Sequence, residues 1–200
     1  MTHVDNIPHI LEFGITHRNS ENGNPNYVSI GDRSLIDNRN SKKVNFDTES
    51  IILGDFIPFY FGFRTPMLYV IQKGGNLVPR KIAPDSIIYC VTSLQKMLDS
   101  SVDFYFTDGH ATNNFTKFYK KESLFEIDKL IDFQAINNKY WIDENDLDLK
   151  RRKEAEFLVK NDLPKDAIIG FVCFNESAKN RLLEIGVDSS LIVIKPNYYF

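Results

Sequence analysis

A carboxylate that enters an apolar strand directly from a run of cations is the first chemical signal in this chain. Lys150-Arg151-Arg152-Lys153-Glu154-Ala155-Glu156 leads into Phe157-Leu158-Val159, and Asp143, Glu144, Asp146 and Asp148 come just before it. A glutamate at the start of a rigid strand can stabilise the positive charge that develops during glycosyl transfer. The cations beside it could hold an anionic polymer, and such binding would be salt-sensitive. The same pattern also reads as a solvated turn with Glu156 on the outer face of its strand. Pattern alone leaves both readings open.

Three weaker signals accompany it. Aromatic residues crowd around Arg64 between Pro58 and Pro66. Most of these rings are expected in the core, but turn character over Gly62 to Pro66 would expose Phe63 and Arg64 for base stacking and phosphate contact. Arg33 and Arg39 lie in a polar stretch and could clamp a pyrophosphate by bidentate bonds, or be ordinary surface arginines. His110, in Phe106-Thr107-Asp108-Gly109-His110-Ala111, stands at a strand end, where it could orient a substrate group or simply pack beneath a helix.

The elements that must position these groups follow from capping and periodicity. A helix is expected over residues 6–13, begun by Asp5 or Asn6 and stopped at Gly14. Residues 16–50 read as a long polar loop. Strands are expected at Phe56–Phe61, Met67–Gln72, Ser86–Val91, Asp103–Phe106, Glu156–Val159, Ile168–Phe174 and Leu191–Lys195. Helices are expected at Ser93–Leu98, at Ala111–Tyr119 with Phe115 and Phe118 buried, from a Ser123/Glu126 capping box, and between Asn175 and Gly186. Helices inserted among strands, without strict alternation, indicate an α+β fold in a single domain over 1–200.

Composition narrows the function classes. A net charge of −3 excludes a general nucleic-acid coating protein, so any such site must be a local patch. Cys90 and Cys173 lie in apolar runs as expected for reduced thiols in a cytoplasmic protein. No metal-ligand spacing of the CxxC or HExxH kind occurs, so no metal is expected. No run approaches the roughly 20 apolar residues of a membrane span, and a monomer is the default expectation.

Taken in order, these segments resemble the DarT family, the toxin half of DarT–DarG toxin–antitoxin pairs. The matching stretches are Thr2 to Leu11, Ile57 to Tyr69, Phe106 to Ala111, Arg152 to Val159 and Val193 to Phe200, which together span nearly the whole chain. The resemblance implies the ADP-ribosyltransferase fold, a split and mainly antiparallel β-sheet with inserted helices and NAD⁺ in its cleft. It implies transfer of ADP-ribose to a base of single-stranded DNA, thymine in most members and guanine in some, blocking replication. A DarG-like macrodomain antitoxin would remove the mark. By position, Thr2, His3, Val4, Leu11 and Asn19 match NAD⁺-contacting residues, and Gly23 to Lys42 matches the NAD-binding element with Arg39 as its functional arginine. Phe63, Arg64, Thr65, Pro66, Met67 and Leu68, with Lys150, Arg151, Arg152, Lys153 and Glu154, match DNA-contacting stretches. His110 to Glu156 matches the loop that presents the target base, and Glu156 the catalytic glutamate.

The expected mechanism places the nicotinamide ribose near Glu156 and the pyrophosphate near Arg39. A free arginine is a poor base because its pKa exceeds about 12, so Arg39 reads as anchor and polariser, with a more direct role left open by the resemblance. The target base must be unpaired, since a duplex hides its Watson–Crick edge. Other outcomes remain open from sequence: an RNA or protein acceptor, a hydrolase without an acceptor, or a binding module that turns over no NAD⁺.

Overall fold

Phe104 and Phe106 on one strand, and Phe157 and Val159 on its neighbour, point their side chains to one face at every second position. All four are nearly inaccessible to solvent. Burying that face, at roughly 2–3 kcal/mol per large side chain, builds the sheet whose first residue on one strand is Glu156. The computed structural model describes residues 1–46, 49–75, 78 and 80–200.

The chain opens with β1 (Thr2–His3) and α1 (Ile7–Phe13). It continues through α2 (Arg33–Ser41), β2 (Lys43–Phe46), β3 (Glu49–Ile52), β4 (Phe56–Tyr60), α3 (Pro66–Lys73), β5 (Ile87–Val91), α4 (Leu94–Asp99) and β6 (Phe104–Thr107). Then come β7 (Phe118–Lys120), α5 (Ile127–Leu130), α6 (Phe133–Asn137), α7 (Leu149–Lys153) and β8 (Glu156–Lys160). The last elements are β9 (Gly170–Cys173), α8 (Glu176–Ile185) and β10 (Ile192–Ile194). Among the described residues the strands form two four-stranded sheets, β1-β5-β9-β10 and β4-β8-β6-β7, and the hairpin β2-β3. Every pairing is antiparallel except β9 with β10. This is the expected split α+β sheet. No helix among the described residues is long and apolar enough to cross a membrane.

Local signals placed several elements well. The Asn175 side chain accepts from Ala178 N and Gly186 closes α8 at φ 100°, as expected of a capped helix. Ser93 caps α4 in the same way, and Gly14 ends α1. At α1, however, Asn6 makes no cap bond. Its buried amide reaches Thr2 Oγ1 and both the N–H and C=O of Val28, tying the polar stretch to the first sheet.

Four expectations are corrected. Met67–Gln72 is not a strand but lies in α3, because Thr65 accepts from Leu68 N and Pro66 occupies the first helical turn. The polar stretch 16–50 is not one loop, although its residues 47–48 lie outside the described set. Asp32 starts α2 by accepting from Ser34 N and Leu35 N, and the hairpin follows. Ala111–Tyr119 is not a helix: turns lead into β7, where Phe118 is buried, while Phe115 is 85% exposed. Ser123 does not cap a helix, since Lys121–Glu126 is a 3₁₀ segment without a side-chain cap.

Candidate active site

β8 delivers Glu156 to a fully enclosed position. Its side chain is 1% exposed and its Cα stands opposite Tyr60 of β4. Thr107, the last residue of β6, accepts from Glu156 N at 3.1 Å and donates to Gly109 O at 2.7 Å, so one hydroxyl holds both the strand start and the following turn. Glu156 Oε1 accepts from Ala111 N at 3.1 Å, and Oε2 accepts from Arg39 at 2.7 Å. His110 Nε2 lies 3.8 Å from Oε1. Burial by itself pushes the carboxyl up. The Arg39 charge, the nearby His110 ring and the hydrogen bonds from Arg39 and Ala111 nevertheless hold it below the ordinary carboxylate range. Burial, first among several causes, lowers the His110 imidazole.

Arg39 reaches this position from the last turn of α2, a helix with no buried residue. Polar contacts and one close approach seat it. Lys42 donates to Thr112 O and to Asn114 Oδ1. Gly54 lies so near Asn40 that a Cβ there would stand 2.8 Å from the Asn40 carbonyl oxygen. Arg39 Nε is buried with no hydrogen-bond partner among the described residues. A buried donor left unsatisfied is costly, so this N–H calls for an acceptor from a ligand.

That ligand has room. A cleft with about 1070 Å³ of empty space, its solvent-facing mouth included, runs between α2 and the sheet and is lined by Tyr27, Asp32, Arg39, Tyr60, Tyr89 and His110, among others. The cleft, the orphaned guanidinium N–H and the buried carboxylate suit a dinucleotide with a pyrophosphate and a cationic pyridinium ring that departs as a neutral base. Sequence reasoning did not single out Tyr60 or Tyr89; each is one tyrosine within an apolar run, which gives no sign that it faces a cleft.

Of the residues expected to contact a dinucleotide, the Gly23–Lys42 element lines this cleft, through Tyr27, Ile30, Asp32, Leu35 and Arg39 among others, and so does Met1; Thr2, His3, Val4, Leu11 and Asn19 do not. Thr2 and His3 are buried in local bonds, to Asn6 and to Asp5 N respectively. Val4 is wholly buried in the core with Ile7 and Ile88, and Leu11 packs against the same cluster. Asn19 donates to Asp55 on the surface at 3.3 Å.

The expected DNA-contacting stretches, more than 80 positions apart in sequence, meet at a second pocket lined by Phe63, Arg64, Asn138, Lys139, Lys153 and Asn197. Phe63 is 37% exposed and stacks on Tyr198 at 3.8 Å. Arg64 donates to Tyr199 O and lies over the Phe200 ring. Thr65 caps α3, Pro66 and Leu68 are buried in it, and Met67 lines the larger cleft instead. Leu68 therefore has no surface to offer DNA.

The basic cluster is a helix rather than a loop, and most of its charge is already matched. Arg151 bonds Asp148 with two nitrogens and Asp108 with the third. Arg152 pairs with Asp132, Asp146 and Asp148. Lys153 is buried and donates to the carbonyls of Ile136 and Asn138. Lys150 alone of the four is exposed. The strong salt sensitivity expected of four open cations is thereby reduced.

The sequence profile of the DarT family, described as ssDNA thymidine ADP-ribosyltransferase, matches residues 1–200. The chain belongs to the DarT family. As a DarT, it is an NAD⁺-dependent DNA ADP-ribosyltransferase. The DNA ADP-ribosyl transferase of Thermus sp. (strain 2.9) is 32% identical over 187 residues, covering 92% of this chain and 84% of the relative. A DNA ADP-ribosyl transferase–DNA ADP-ribosyl glycohydrolase fusion protein of Thermosipho africanus (strain H17ap60334) is 28% identical over 202 residues, spanning all of this chain and 48% of the fusion. Among solved structures, Thermus sp. 2.9 DarT in complex with ADP-ribosylated ssDNA superposes with a TM-score of 0.85 at 29% identity, covering 100% of this chain and 93% of that one. The same DarT in complex with NAD⁺ superposes at 0.80 with 28% identity, covering 100% and 94%.

One further DarT residue stands out in the structure. Glu154, two positions before Glu156, is 8% exposed, and its carboxyl is pushed up to about 7, chiefly by burial. A carboxyl raised on folding binds its proton more tightly in the native state. Stability therefore falls as pH rises from the ordinary carboxylate range through about 7. Glu154→Gln removes that loss. Thermal or denaturant unfolding should show the variant more stable at pH ~8, by on the order of 3 kcal/mol at ~1.4 kcal/mol per pH decade, with the gap closing near pH ~4.

Proposed function

We propose that this DarT transfers ADP-ribose from NAD⁺ to a thymine of single-stranded DNA, with Glu156 and Arg39 at the reacting centre. The observation that carries this reading is the enclosed Arg39–Glu156 pair, whose arginine lines a cleft of dinucleotide size and whose Nε–H lacks a partner among the described residues. Bound NAD⁺ supplies an activated glycosidic bond and a neutral leaving group. Glu156 receives a ribose hydroxyl and faces the positive charge that grows at the anomeric carbon. Arg39 holds Glu156 ionised and directs its Nε–H to the ligand. Neutral His110, at the turn after β6, orients the acceptor side.

The unpaired strand lies across the second pocket, where Phe63 and Tyr198 offer a stacked aromatic edge and Arg64 and Lys153 supply positive charge. Modified thymine blocks the template, making the protein a toxin. A DarG-like glycohydrolase reversing the mark is the partner, supported by the fused arrangement in the Thermosipho relative.

The test is incubation with labelled NAD⁺ and a panel of oligonucleotides that vary in base, strandedness and sugar. Label on single-stranded, thymine-containing DNA is expected. Label on another base corrects the target, label on RNA or protein corrects the acceptor class, and free ADP-ribose alone makes the protein a hydrolase. The absence of any turnover leaves only a binding module.

A further inference from the structure

The connection between β6 and β7 carries a ring for which neither the fold nor the chemistry described so far has a use. The sequence pattern would bury Phe115 in a helix, yet it stands 85% exposed on a turn. Single exposed rings are common on protein surfaces, and Phe125 is almost as open, so exposure alone assigns nothing. What sets Phe115 apart is its seat.

Two successive turns hold it, closed by Asn113 N to His110 O at 2.9 Å and by Thr116 N to Asn113 O at 3.2 Å. Asn113 Oδ1 accepts from Phe115 N at 2.9 Å, and the Thr116 hydroxyl donates to His110 O at 2.8 Å. Lys42, directly after α2, donates to Thr112 O and to Asn114 Oδ1. The turn is therefore bound both to His110 and to the end of the helix that carries Arg39. His110 and Thr112 line the dinucleotide cleft, so the short turn that bears Phe115 forms part of its rim.

Sheet order puts this rim across Glu156 from the second pocket. β8 lies between β4 and β6 and runs antiparallel to both, so the outgoing ends of β4 and β6 emerge on either side of its first residue, Glu156. The chain leaving β4 carries Phe63 and Arg64, and the chain leaving β6 carries His110 and Phe115. Two strand spacings, roughly 10 Å, separate those exits. A strand whose target base enters between them has one neighbour toward the second pocket and the other toward Phe115. The charge suits an anionic chain. Lys42 and Lys150 each add a positive field at His110, Lys117 is exposed at the base of the turn, and Asp108 is already engaged by Arg151.

We propose that Phe115 stacks on the nucleobase adjoining the target base, on the flank of Glu156 away from Phe63 and Arg64, and so sets the register in which the target enters the cleft. This rests on the transferase reading above, with single-stranded DNA as the acceptor. A phenyl ring makes no directional bond to a base edge, and every base has a flat face to offer it. The site therefore takes any base at that position and selects for a neighbour that is unpaired and free to stack, rather than for a sequence.

Phe115→Ala should lower kcat/KM for thymine-containing single-stranded oligonucleotides by about 5–150-fold, the usual worth of one stacked base. The KM for NAD⁺ and the unfolding midpoint should stay as in wild type, because the ring that is lost faces water. Phe115→Trp should keep the rate. A series of oligonucleotides with one abasic site moved along the strand locates the partner base. Removing the base that stacks on Phe115 should cost wild type a similar factor and cost the Ala variant almost nothing, as expected of two coupled partners. The slope of binding against salt should be shared by wild type and variant, because no phosphate contact is removed.

A Phe115→Ala variant within about twofold of wild type in kcat/KM for the oligonucleotide overturns the inference. So does an abasic scan in which variant and wild type lose equally at every position, since the ring then meets no base. A variant that labels DNA at full speed but escapes a DarG-like antitoxin assigns the ring to a protein contact instead. Wild-type protein that labels no oligonucleotide removes the transferase reading beneath the inference, and the inference with it.

Discussion

Glu156→Gln is expected to lower ADP-ribosyl transfer by about 10²–10³-fold, the loss typical of deleting one preorganised electrostatic stabiliser. Glutamine keeps the volume and can still accept from Ala111 N, so the cleft keeps its shape. What disappears is the negative charge facing the anomeric carbon and opposing Arg39. The fall should therefore appear in kcat, measured as label on oligonucleotide per unit time at saturating NAD⁺.

Stability gives a second readout. Glu156 is held below the ordinary carboxylate range on folding, so it contributes stability that is present above that range and lost as pH falls through its lowered value. The Gln variant should lack this acid-side loss, and its unfolding midpoint should change less than that of wild type below pH ~4.3. Full-speed transfer by the variant would place the chemistry elsewhere.

Arg39→Ala should be as damaging to transfer but should behave differently with pH. In the wild type, burial is the largest influence on Glu156 and acts to raise it; Arg39 is the largest of the influences that overcome it. Without the guanidinium, burial prevails and Glu156 holds its proton at higher pH. Residual activity should then climb with pH where wild-type activity does not depend on Glu156 ionisation.

Stability follows the same sign. A carboxylate left 1% exposed and unpaired costs about 3–5 kcal/mol when ionised, so the Ala variant should be weakest at alkaline pH and recover as pH falls. Arg39→Lys restores a cation but not the planar fork or the orphaned Nε–H, so it should recover stability more than rate. Unfolding and rate profiles that are parallel to wild type at every pH would sever the link between Arg39 and Glu156.

Tertiary pairing also changes how the sequence motifs are understood. The run Lys150–Lys153 has the composition of an open anion site, yet Asp108 and Asp132 arrive from distant turns and join Asp146 and Asp148 in neutralising its arginines. The aromatic stretch around Arg64 suggested an exposed platform. Instead the returning chain at Tyr198–Phe200 covers it, stacking on Phe63 and receiving the Arg64 bond. Met67–Gln72 is a short apolar run whose length and content suit strand or helix equally, and the Thr65–Pro66 start that decides for helix was available but outweighed by β-branched and aromatic residues.

By itself, the sequence determined the elements whose stabilising bonds close within a few residues. These include α8 between Asn175 and Gly186, α4 behind Ser93, and the apolar β8 strand that begins at Glu156. Through its resemblance to DarT it also pointed to Arg39 and Glu156 as partners in function. Only the tertiary structure decided that these two side chains touch across 117 positions and that α2 stands over the cleft without burying a residue. The reason is physical: a cap or an alternating face is satisfied by neighbours in the chain, whereas the charge and burial of a side chain depend on whichever distant segment folds back against it.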